Sequence, residues 1–324
     1  MSQAIRIHRH GGPEVMRLET LEIGKPGEGE VLLRQRAIGL NYIDIYHRTG
    51  LYPVALPAVP GMEGAACVEA VGRGVVDLQV GDRVAYAGGP IGAYAQMRVM
   101  PVDRLVKLPE GIDDCTAASM MLQGMTVQYL IRQAYRVSPS ETVLWHAAAG
   151  GVGLIACQWL RSLGVTVIGT VGTDEKAALA MANGCSHVIN YRREHFVERV
   201  RELTDGAGVP VVYDSVGKDT FEGSLDCLQR RGLLVSFGNA SGAVLPFSLG
   251  VLAQKGSLYV TRPNLAGYTA TRDELLSCAG ELFEQVLSGA VKITTNHIYP
   301  LAEAAQAHRD LEARKTTGSI VLLP

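Results

Sequence analysis

The chain has 324 residues, of which 47% are hydrophobic and 19% are charged, and its formal net charge at pH 7 is −2. This length allows two domains with well-buried cores. The near-neutral charge gives no reason to expect a nucleic acid or a membrane surface as a partner. Because no apolar run reaches membrane-spanning length and the first residues lack the apolar core of a secretory signal, we expect a cytoplasmic protein.

The first 123 residues are rich in short segments of alternating polarity, such as residues 30–34 and 67–71, separated by glycine and proline. Such spacing predicts a small β-rich domain of the barrel or sandwich type. One part of it, residues 41–52, collects aromatic and amide side chains. If this part is helical, the i, i+3, i+4 spacing places Tyr42 and Tyr46 on the same side.

This segment contains the candidate catalytic residues Asn41, Tyr46 and Tyr52. The two tyrosines carry phenol donors on flat apolar rings, which suit an aromatic acceptor. Asn41 can donate an amide hydrogen to a carbonyl oxygen. Together they can orient a flat acceptor and stabilise the negative charge that develops on it.

For several other residues of this segment, we expect structural rather than catalytic roles. Tyr42 is expected in the core, and Asp44 is expected to cap or brace the helix. His47 and Arg48 are expected to be exposed at the helix end.

From about residue 124, predicted strands alternate with helical stretches. Six strands with mostly helical connections are typical of a doubly wound parallel sheet in an α/β fold. The predicted strands are residues 143–147, 165–170, 187–191, 211–214, 233–238 and 258–261. Beyond them, residues 275–287 predict an amphipathic helix and residues 318–323 a closing strand.

The first of these strands runs into a turn of small residues that reads Ala148-x-Gly150-x-x-Gly153, one glycine short of the full dinucleotide fingerprint. Small residues let backbone N–H groups approach a pyrophosphate, and the helix N-terminus adds partial positive charge. A tight turn can also be purely structural, but here the strand before it, the helix after it and the second strand complete a βαβ unit. We predict a Rossmann-type nucleotide site that includes Gly151 and Val152 as well.

The end of the second predicted strand indicates which dinucleotide binds. Sheets that prefer NAD place an acid there to bind the ribose 2′-OH, whereas this strand runs into Gly172 and Thr173 with no carboxylate before Asp174. Lys176 follows, and Tyr191 ends the next strand. A missing acid beside a cation suits a 2′-phosphate, so we predict NADPH. The alternative is that Lys176 is a solvated residue at a helix start.

Several short motifs are spread along the whole chain. They are His10-Gly11-Gly12-Pro13-Glu14-Val15, Asn41-Tyr42-Ile43-Asp44, Gly50-Leu51-Tyr52-Pro53, Gly81-Asp82-Arg83-Val84, residues 146–153, Tyr213-Asp214-Ser215-Val216-Gly217 and Ser236-Phe237-Gly238-Asn239. Together they resemble the zinc-free quinone oxidoreductase branch of the medium-chain dehydrogenase/reductase family, closest to its bacterial NADPH:quinone reductases. The resemblance implies a GroES-like catalytic domain (1–123), an NADPH-binding Rossmann domain (124–266) and a C-terminal segment (267–324) that returns to the catalytic domain.

The resemblance also implies cofactor contacts at the carboxyl ends of the strands, where open α/β sheets bind ligands. It assigns Gly172, Lys176 and Tyr191 to the 2′-phosphate. The remaining implied contacts are Asn41, Asp44, Tyr46, Tyr129, Thr173, Ser215, Phe237, Gly238, Asn239, Arg262 and Pro263. Ser215 and Asn239 can equally be turn residues, and Tyr129 can simply pack in a helix.

Zinc-dependent members of this family carry Gly-His-Glu where this chain has Gly61-Met62-Glu63. A thioether thus replaces an imidazole, which Zn²⁺ favours, and the four-cysteine structural-zinc loop is absent. The six cysteines include no Cys-x-x-Cys pair and are expected to be reduced thiols. We therefore predict no metal site, which argues against zinc-assisted alcohol oxidation, and we predict a structural hydrogen-bonding or ion-pairing role for Glu63.

The resulting expectation is an NADPH-dependent reductase of small quinones. One alternative is a reductase of α,β-unsaturated carbonyls, which needs a similar pocket. A second is an NADPH-bound regulatory or RNA-binding protein with little turnover, against which the lack of a basic stripe counts. The resemblance implies a homodimer joined through edge strands, with residues 258–260 as the candidate edge unless a helix covers it. The residues do not distinguish one-electron from two-electron transfer.

Overall fold

Three β-sheets, of two, six and seven strands, organise the chain. The computed structural model describes all 324 residues, and they fall into two units. Unit 1 comprises Met1–Met125, Thr269–Leu287 and Ile293–Pro324, and unit 2 comprises Thr126–Tyr268 and Ser288–Lys292. None of the helices combines the length and apolar composition that crossing a bilayer requires. Strands and helices are numbered below in chain order.

Unit 1 is built mainly on antiparallel strands. These are β1 (Ser2–Ile7), β2 (Met16–Leu21), β3 (Glu30–Leu40), β4 (Glu63–Val71), β5 (Arg83–Ala87), β6 (Met97–Pro101), β7 (Val106–Lys107), β14 (Thr295–Pro300) and β15 (Ser319–Leu323). Its helices are α1 (Tyr42–Thr49), α2 (Asp114–Ala118), α10 (Arg272–Leu287) and α11 (Ala304–Glu312).

Strand β3 is central to the seven-stranded sheet, because it pairs with β4, β6 and β15. Its side chains alternate with the period of two that a strand imposes: Val31 and Leu33 are fully buried, while Arg34 is exposed. The pairing of β15 with β3 places Leu322 opposite Ile38. The C-terminal segment therefore completes the sheet that the N-terminal segment begins.

The sheet of unit 2 is wholly parallel, with the strand order β10-β9-β8-β11-β12-β13. Its strands are β8 (Thr142–Trp145), β9 (Thr166–Val171), β10 (His187–Asn190), β11 (Val209–Asp214), β12 (Leu228–Ser236) and β13 (Tyr259–Thr261). Counted from β8, this is the 3-2-1-4-5-6 order of the dinucleotide-binding sheet, so the predicted fold class is confirmed. The strand order reverses between β8 and β11, and ligands bind beyond the carboxyl ends of the strands at such a point.

Helices separate the strands of unit 2. They are α4 (Gly151–Ser162), α5 (Asp174–Ala182), α6 (Phe196–Leu203), α7 (Phe221–Cys227), α8 (Gly250–Gln254) and α9 (Leu265–Tyr268), and α3 (Met121–Tyr129) ends at the start of this unit. Because the sheet is covered, its strands are continuous apolar runs. Leu144, Ile168, Val212 and Leu234, from four neighbouring strands, belong to one buried cluster.

The predicted elements are present, and their ends differ where polar residues interrupt the apolar pattern. β12 begins at Leu228 rather than at residue 233, because its exposed residues 229–231 do not read as strand. β3 continues to Leu40, well past residue 34, although Arg34 and Arg36 lie on its exposed face. The predicted helix at 275–287 begins three residues earlier, at Arg272.

Candidate functional site

Backbone hydrogen bonds to two neighbouring strands hold the turn that follows β8. The His146 N–H donates to the Tyr213 carbonyl of β11 (3.0 Å), and the Ala148 N–H donates to the Thr170 carbonyl of β9 (3.1 Å). Ala147 between them has a φ of +55°, a left-handed conformation that is uncommon for residues other than glycine. The turn therefore lies between the carboxyl ends of the two strands that flank β8.

Gly153 is the position in this turn where only glycine fits. A Cβ atom there would lie 2.5 Å from the carbonyl oxygen of Ala147 and 2.6 Å from that of Ala148. These oxygens belong to the backbone that the hydrogen bonds above hold in place, so they cannot move aside. The first turn of α4 thus packs directly on the turn.

The N-terminus of α4 carries the donors that a phosphate group needs. Gly150 is its N-cap and makes no side-chain cap, and Gly151 and Val152 begin a helix of 12 residues. The N–H groups of an uncapped first turn, together with the helix dipole, attract an anion. The predicted fingerprint residues therefore form a site that fits a pyrophosphate.

At the end of β9 the structure brings the predicted 2′-phosphate residues together. Thr173 caps α5, since its hydroxyl oxygen accepts from the Lys176 N–H (3.3 Å). A Cβ atom on Gly172 would lie 2.6 Å from the hydroxyl oxygen of Tyr191, so the phenol lies against this glycine. All four residues therefore border one strand end.

Asp174, the first acid after β9, is engaged by two neighbours. Asn190 Nδ2 donates to its Oδ1 (2.8 Å), and Arg193 Nη1 lies 2.7 Å from its Oδ2. Sequence reasoning did not select Arg193, although it follows Tyr191 closely. The arginine offsets the charge of the acid, and Lys176 adds a further positive charge near this strand end, which suits a phosphate.

The ends of β11, β12 and β13 also converge. A Cβ atom on Gly238 would lie 2.5 Å from the Ser215 carbonyl oxygen, so these two backbones are in close contact. Arg262 donates from Nη1 to the Ser236 carbonyl (2.7 Å). In the orientation that satisfies both its neighbours, the Asn239 amide accepts from Arg262 Nη2 at 3.2 Å. Ser215 and Asn239 thus lie at the same strand ends where cofactor contacts were predicted.

The remaining predicted cofactor residues of unit 2 are aromatic or adjoin β13. The Phe237 ring lies 5.7 Å from that of Trp145. Tyr129 is 2% exposed and stacks on Tyr268, with ring centroids 4.7 Å apart, so it packs closely within the unit. Pro263 lies just beyond β13 and is half-buried.

In unit 1, the amide of Asn41 is fixed on both sides. Its Nδ2 donates to Glu63 Oε2 (2.6 Å), and its Oδ1 accepts from Gln123 Nε2 (3.2 Å). Asn41 is also the N-cap of α1, in a capping box with Asp44, whose Oδ2 accepts from the Asn41 N–H (2.9 Å). These bonds define the orientation in which the second hydrogen of Nδ2 is presented.

The tyrosines form one aromatic cluster. The Tyr46 ring lies 5.1 Å from Tyr52 and 6.0 Å from Tyr42. Gly50 ends α1 with a φ of +85°, and the Tyr52 N–H donates to the Tyr46 carbonyl (3.1 Å). The left-handed turn therefore folds Tyr52 back onto the helix. Tyr42 is half-buried rather than part of the core.

The expectation that His47 and Arg48 are exposed at the helix end is wrong, because they are 8% and 1% exposed. Arg48 donates to Glu312 Oε1 (2.6 Å) and contacts His308 Nδ1 (3.0 Å), both on α11. A guanidinium can be buried when its donors and charge are matched. Its partners lie more than 250 residues away in the chain, so the local pattern does not show them.

Asp44, in the first turn of α1, and Glu63, at the start of β4, carry fully buried carboxyl groups. Asp44 accepts from the Tyr94 hydroxyl (3.0 Å) and Glu63 accepts from the Leu122 N–H (2.8 Å). Burial is the largest cause that raises the pKa of Asp44 to about 7 and that of Glu63 to about 8. Both residues therefore have the bracing and hydrogen-bonding roles expected of them. No group of three or more His, Cys, Asp or Glu side chains is placed to hold a metal ion.

The two architectures correspond to two family models. Residues 27–110 match the alcohol dehydrogenase GroES-like domain, and residues 151–278 match the zinc-binding dehydrogenases. A GroES-like sheet and a doubly wound parallel sheet in one chain define the medium-chain dehydrogenase class.

Individual relatives narrow the class. The chain is 56% identical to a quinone oxidoreductase of Pseudomonas aeruginosa, covering 100% of both chains. It is 48% identical to a 2-haloacrylate reductase of a Burkholderia species, covering 100% of this chain and 99% of the relative. The solved structure of an Escherichia coli quinone oxidoreductase complexed with NADPH is 51% identical, with a TM-score of 0.98 over 99% of this chain and 100% of the other. The chain belongs to the quinone oxidoreductase branch of the medium-chain dehydrogenase/reductase family, which confirms the resemblance.

The buried carboxyl of Glu63 gives the first testable prediction. Because its pKa rises from 4.5 to about 8 on folding, the folded protein holds the proton more tightly than the unfolded chain. This stabilisation is fully present below about pH 4.5 and is lost as the pH rises through about 8. We expect thermal melts from about pH 6 to about pH 9 to show a smaller loss of stability in Glu63→Gln than in the wild type.

The matched control is Glu69→Gln, which removes an exposed acid paired with Arg34. The pKa of the Glu69 carboxyl is lowered, chiefly by the hydrogen bond from Arg34, so this group does not titrate over the pH range of the melts. If stability fell equally with pH in the wild type and in Glu63→Gln, the raised pKa of Glu63 would be contradicted.

Proposed function

We propose that the protein reduces small quinones with NADPH and uses no metal ion. The observation that carries this proposal is the end of β9, where the nearest acid is engaged by Asn190 and Arg193, where Tyr191 lies against Gly172, and where Lys176 lies in the first turn of the following helix α5. An NAD site needs an acid available to the ribose. This strand end instead presents cations, which suit the 2′-phosphate of NADPH.

NADPH bound here would supply hydride equivalents from the nicotinamide C4. The N-terminus of α4 would hold its pyrophosphate, and Lys176, Arg193 and Tyr191 would hold the 2′-phosphate. Ser215, the residues 237–239, Arg262 and Pro263 would bind nearer the nicotinamide, at the carboxyl ends of β11, β12 and β13. The NADPH complex of the Escherichia coli relative supports this cofactor.

The acceptor would bind at the Asn41–Tyr52 cluster. Reduction of a quinone places negative charge on its oxygen, and N–H or O–H donors held in advance stabilise that charge. Asn41 is held by Glu63 and Gln123, and Tyr46 is held by α1 and packed against Tyr52. We assign Asn41 and Tyr46 to the acceptor oxygen and Tyr52 to the acceptor ring.

The donor set at Met62 and Glu63 supports a metal-free reaction. Met62 offers only a thioether where zinc-dependent members have imidazole. Both oxygens of Glu63 already accept hydrogen bonds, from Asn41 Nδ2 and from the Leu122 N–H. The six cysteines are free thiols, a state that suits the reducing cytoplasm, and we assign the protein to that compartment.

A second candidate activity is the reduction of α,β-unsaturated carbonyls. The observation that favours it is the 48% identity with a 2-haloacrylate reductase over the full chain. Both reactions need a flat electrophile and a donor at a developing oxyanion, so the same residues would serve. Quinone reduction is the leading proposal because a relative with that name is more similar to this chain.

An acceptor panel tests the leading proposal. We expect NADPH oxidation with soluble 1,4-quinones and slower turnover with enals and enones. Tyr46→Phe should lower kcat/KM for quinones about tenfold, because one hydrogen bond to the transition state is lost. Tyr299→Phe is the control, since its hydroxyl bonds Asp310 outside the cluster. Turnover of enones without turnover of quinones would contradict the leading proposal and support the reduction of α,β-unsaturated carbonyls instead.

Cofactor choice is tested separately with Lys176→Ala. Loss of a charge-assisted bond to the 2′-phosphate should raise the KM for NADPH roughly 10- to 100-fold and leave the KM for NADH within about twofold. Lys107→Ala, which removes an exposed lysine paired with Asp82, is the matched control. An unchanged KM for NADPH would exclude Lys176 from the site.

We also propose a homodimer formed through β13. This strand is the last in its sheet and pairs only with β12, and Tyr259 on it is 60% exposed. An unpaired edge with an exposed aromatic residue suits isologous pairing with a second copy.

Light scattering should give the mass of two 34.7 kDa chains, and Tyr259→Asp should shift the measured mass toward that of one chain. Leu276→Asp, at a site 40% exposed on α10, should remain dimeric, and a monomeric wild type would refute the interface.

A further inference from the structure

The imidazole of His146 lies at the centre of a buried polar chain that the proposed reaction does not use. Its Nδ1 lies 2.9 Å from Thr170 Oγ1 and its Nε2 lies 3.0 Å from Ser224 Oγ. All three residues are at most 2% exposed. The ring edge also packs against Phe196, with centroids 5.2 Å apart and planes at 89°.

The direction of each bond follows from the last member of the chain. Ser224 donates its hydroxyl hydrogen to Asp214 Oδ2 (3.1 Å), so its oxygen accepts from His146 Nε2–H. His146 Nδ1 then carries no hydrogen and accepts from the Thr170 hydroxyl. Burial lowers the pKa of His146, which favours the neutral ring, and the bonds to Thr170 and Ser224 select this one tautomer.

The two arms of the ring lead to different parts of the nucleotide site. Thr170 lies near the end of β9, shortly before the 2′-phosphate residues, and its carbonyl accepts from the Ala148 N–H of the glycine turn. Asp214 ends β11 and accepts from the N–H groups of Val216 (2.7 Å) and Gly217 (3.0 Å). It therefore shapes the turn that begins at Ser215, on the nicotinamide side.

We propose that His146 is a positioning residue, and that its bond with Thr170 sets the preference of the site for a 2′-phosphorylated nucleotide. The bond holds the end of β9 in register with the glycine turn, and so holds Gly172 and Lys176 where a 2′-phosphate can be bound. The Ser224 arm acts on the turn after β11, which contacts a part of the cofactor that NADPH and NADH share. This inference rests on the proposed NADPH site.

The test uses binding rather than turnover. Calorimetry would measure the Kd of adenosine 2′,5′-bisphosphate and of 5′-AMP, which differ only in the 2′-phosphate. In Thr170→Val the ratio of the two affinities should fall about fivefold, the weight of one ordinary hydrogen bond. In Thr170→Ser, which keeps the hydroxyl, the ratio should return to within about twofold of the wild type.

Ser224→Ala is the matched control, because it removes the other partner of the same ring. It should lower the melting temperature, as Thr170→Val does, and leave the affinity ratio within about twofold of the wild type. An equal fall of the ratio in both variants, or no fall in Thr170→Val, would show that the ring serves packing alone. A wild type without preference for the 2′-phosphate would instead refute the proposed NADPH site, so the two failures are distinguishable.

Discussion

Gly153 lies against the carbonyl oxygens of Ala147 and Ala148, and this contact between backbone atoms places the first turn of α4 directly above the end of β8. The carbonyls cannot yield, because hydrogen bonds on either side of Ala147 tie the turn to β9 and β11. The same bonds set the spacing of the two strand ends. The helix N-terminus, the 2′-phosphate residues and the turn after β11 are therefore all placed relative to one small piece of backbone.

Unit 1 depends on a different kind of constraint, the burial of matched polar groups around α1. Asn41 and Glu63 bond beneath its N-terminus, and Asp44 contacts the Tyr94 hydroxyl. That hydroxyl also contacts His308, 3.0 Å away on α11. Burial raises the pKa of Asp44 to about 7 and lowers that of His308 to about 3, so removing these groups from water favours their uncharged forms.

Arg48 is a charged group buried in this setting, and two hydrogen bonds from its guanidinium to Glu312 provide the opposite charge. A buried charge without such a partner would cost several kcal/mol, on the order of 3–5. The pair therefore contributes little net stability. It instead favours the one arrangement of α1 and α11 in which the buried charge of Arg48 has a partner. That arrangement fixes the position of α1, and so the positions of Tyr46 on α1 and of Tyr52, which packs against Tyr46.

The parts of the candidate site that depend on the local sequence could be predicted from it. The small residues 148–153 predict a close backbone approach, and the apolar runs predict where the strands end. Ser215, Gly238 and Arg262 do lie together at the carboxyl ends of β11, β12 and β13, and their contacts with the cofactor stay a prediction. Arg193 was missed, because a charged residue after a strand looks like ordinary solvated surface. His146 was read only as part of a motif, since its partners Thr170 and Ser224 come from other elements.

The sequence by itself indicated the class of fold and the place of the dinucleotide turn, and its resemblance to the family indicated that methionine stands at the position of a zinc ligand. The first two depend on residue types within single strands, turns and helices and on the order of these elements along the chain. Only the tertiary structure decided that Arg48 is buried, that Asp174 is engaged by Arg193, and that His146 joins the ends of two strands. Those outcomes depend on groups far apart in the chain, whose hydrogen bonds and charges can be matched only after the sheets have formed.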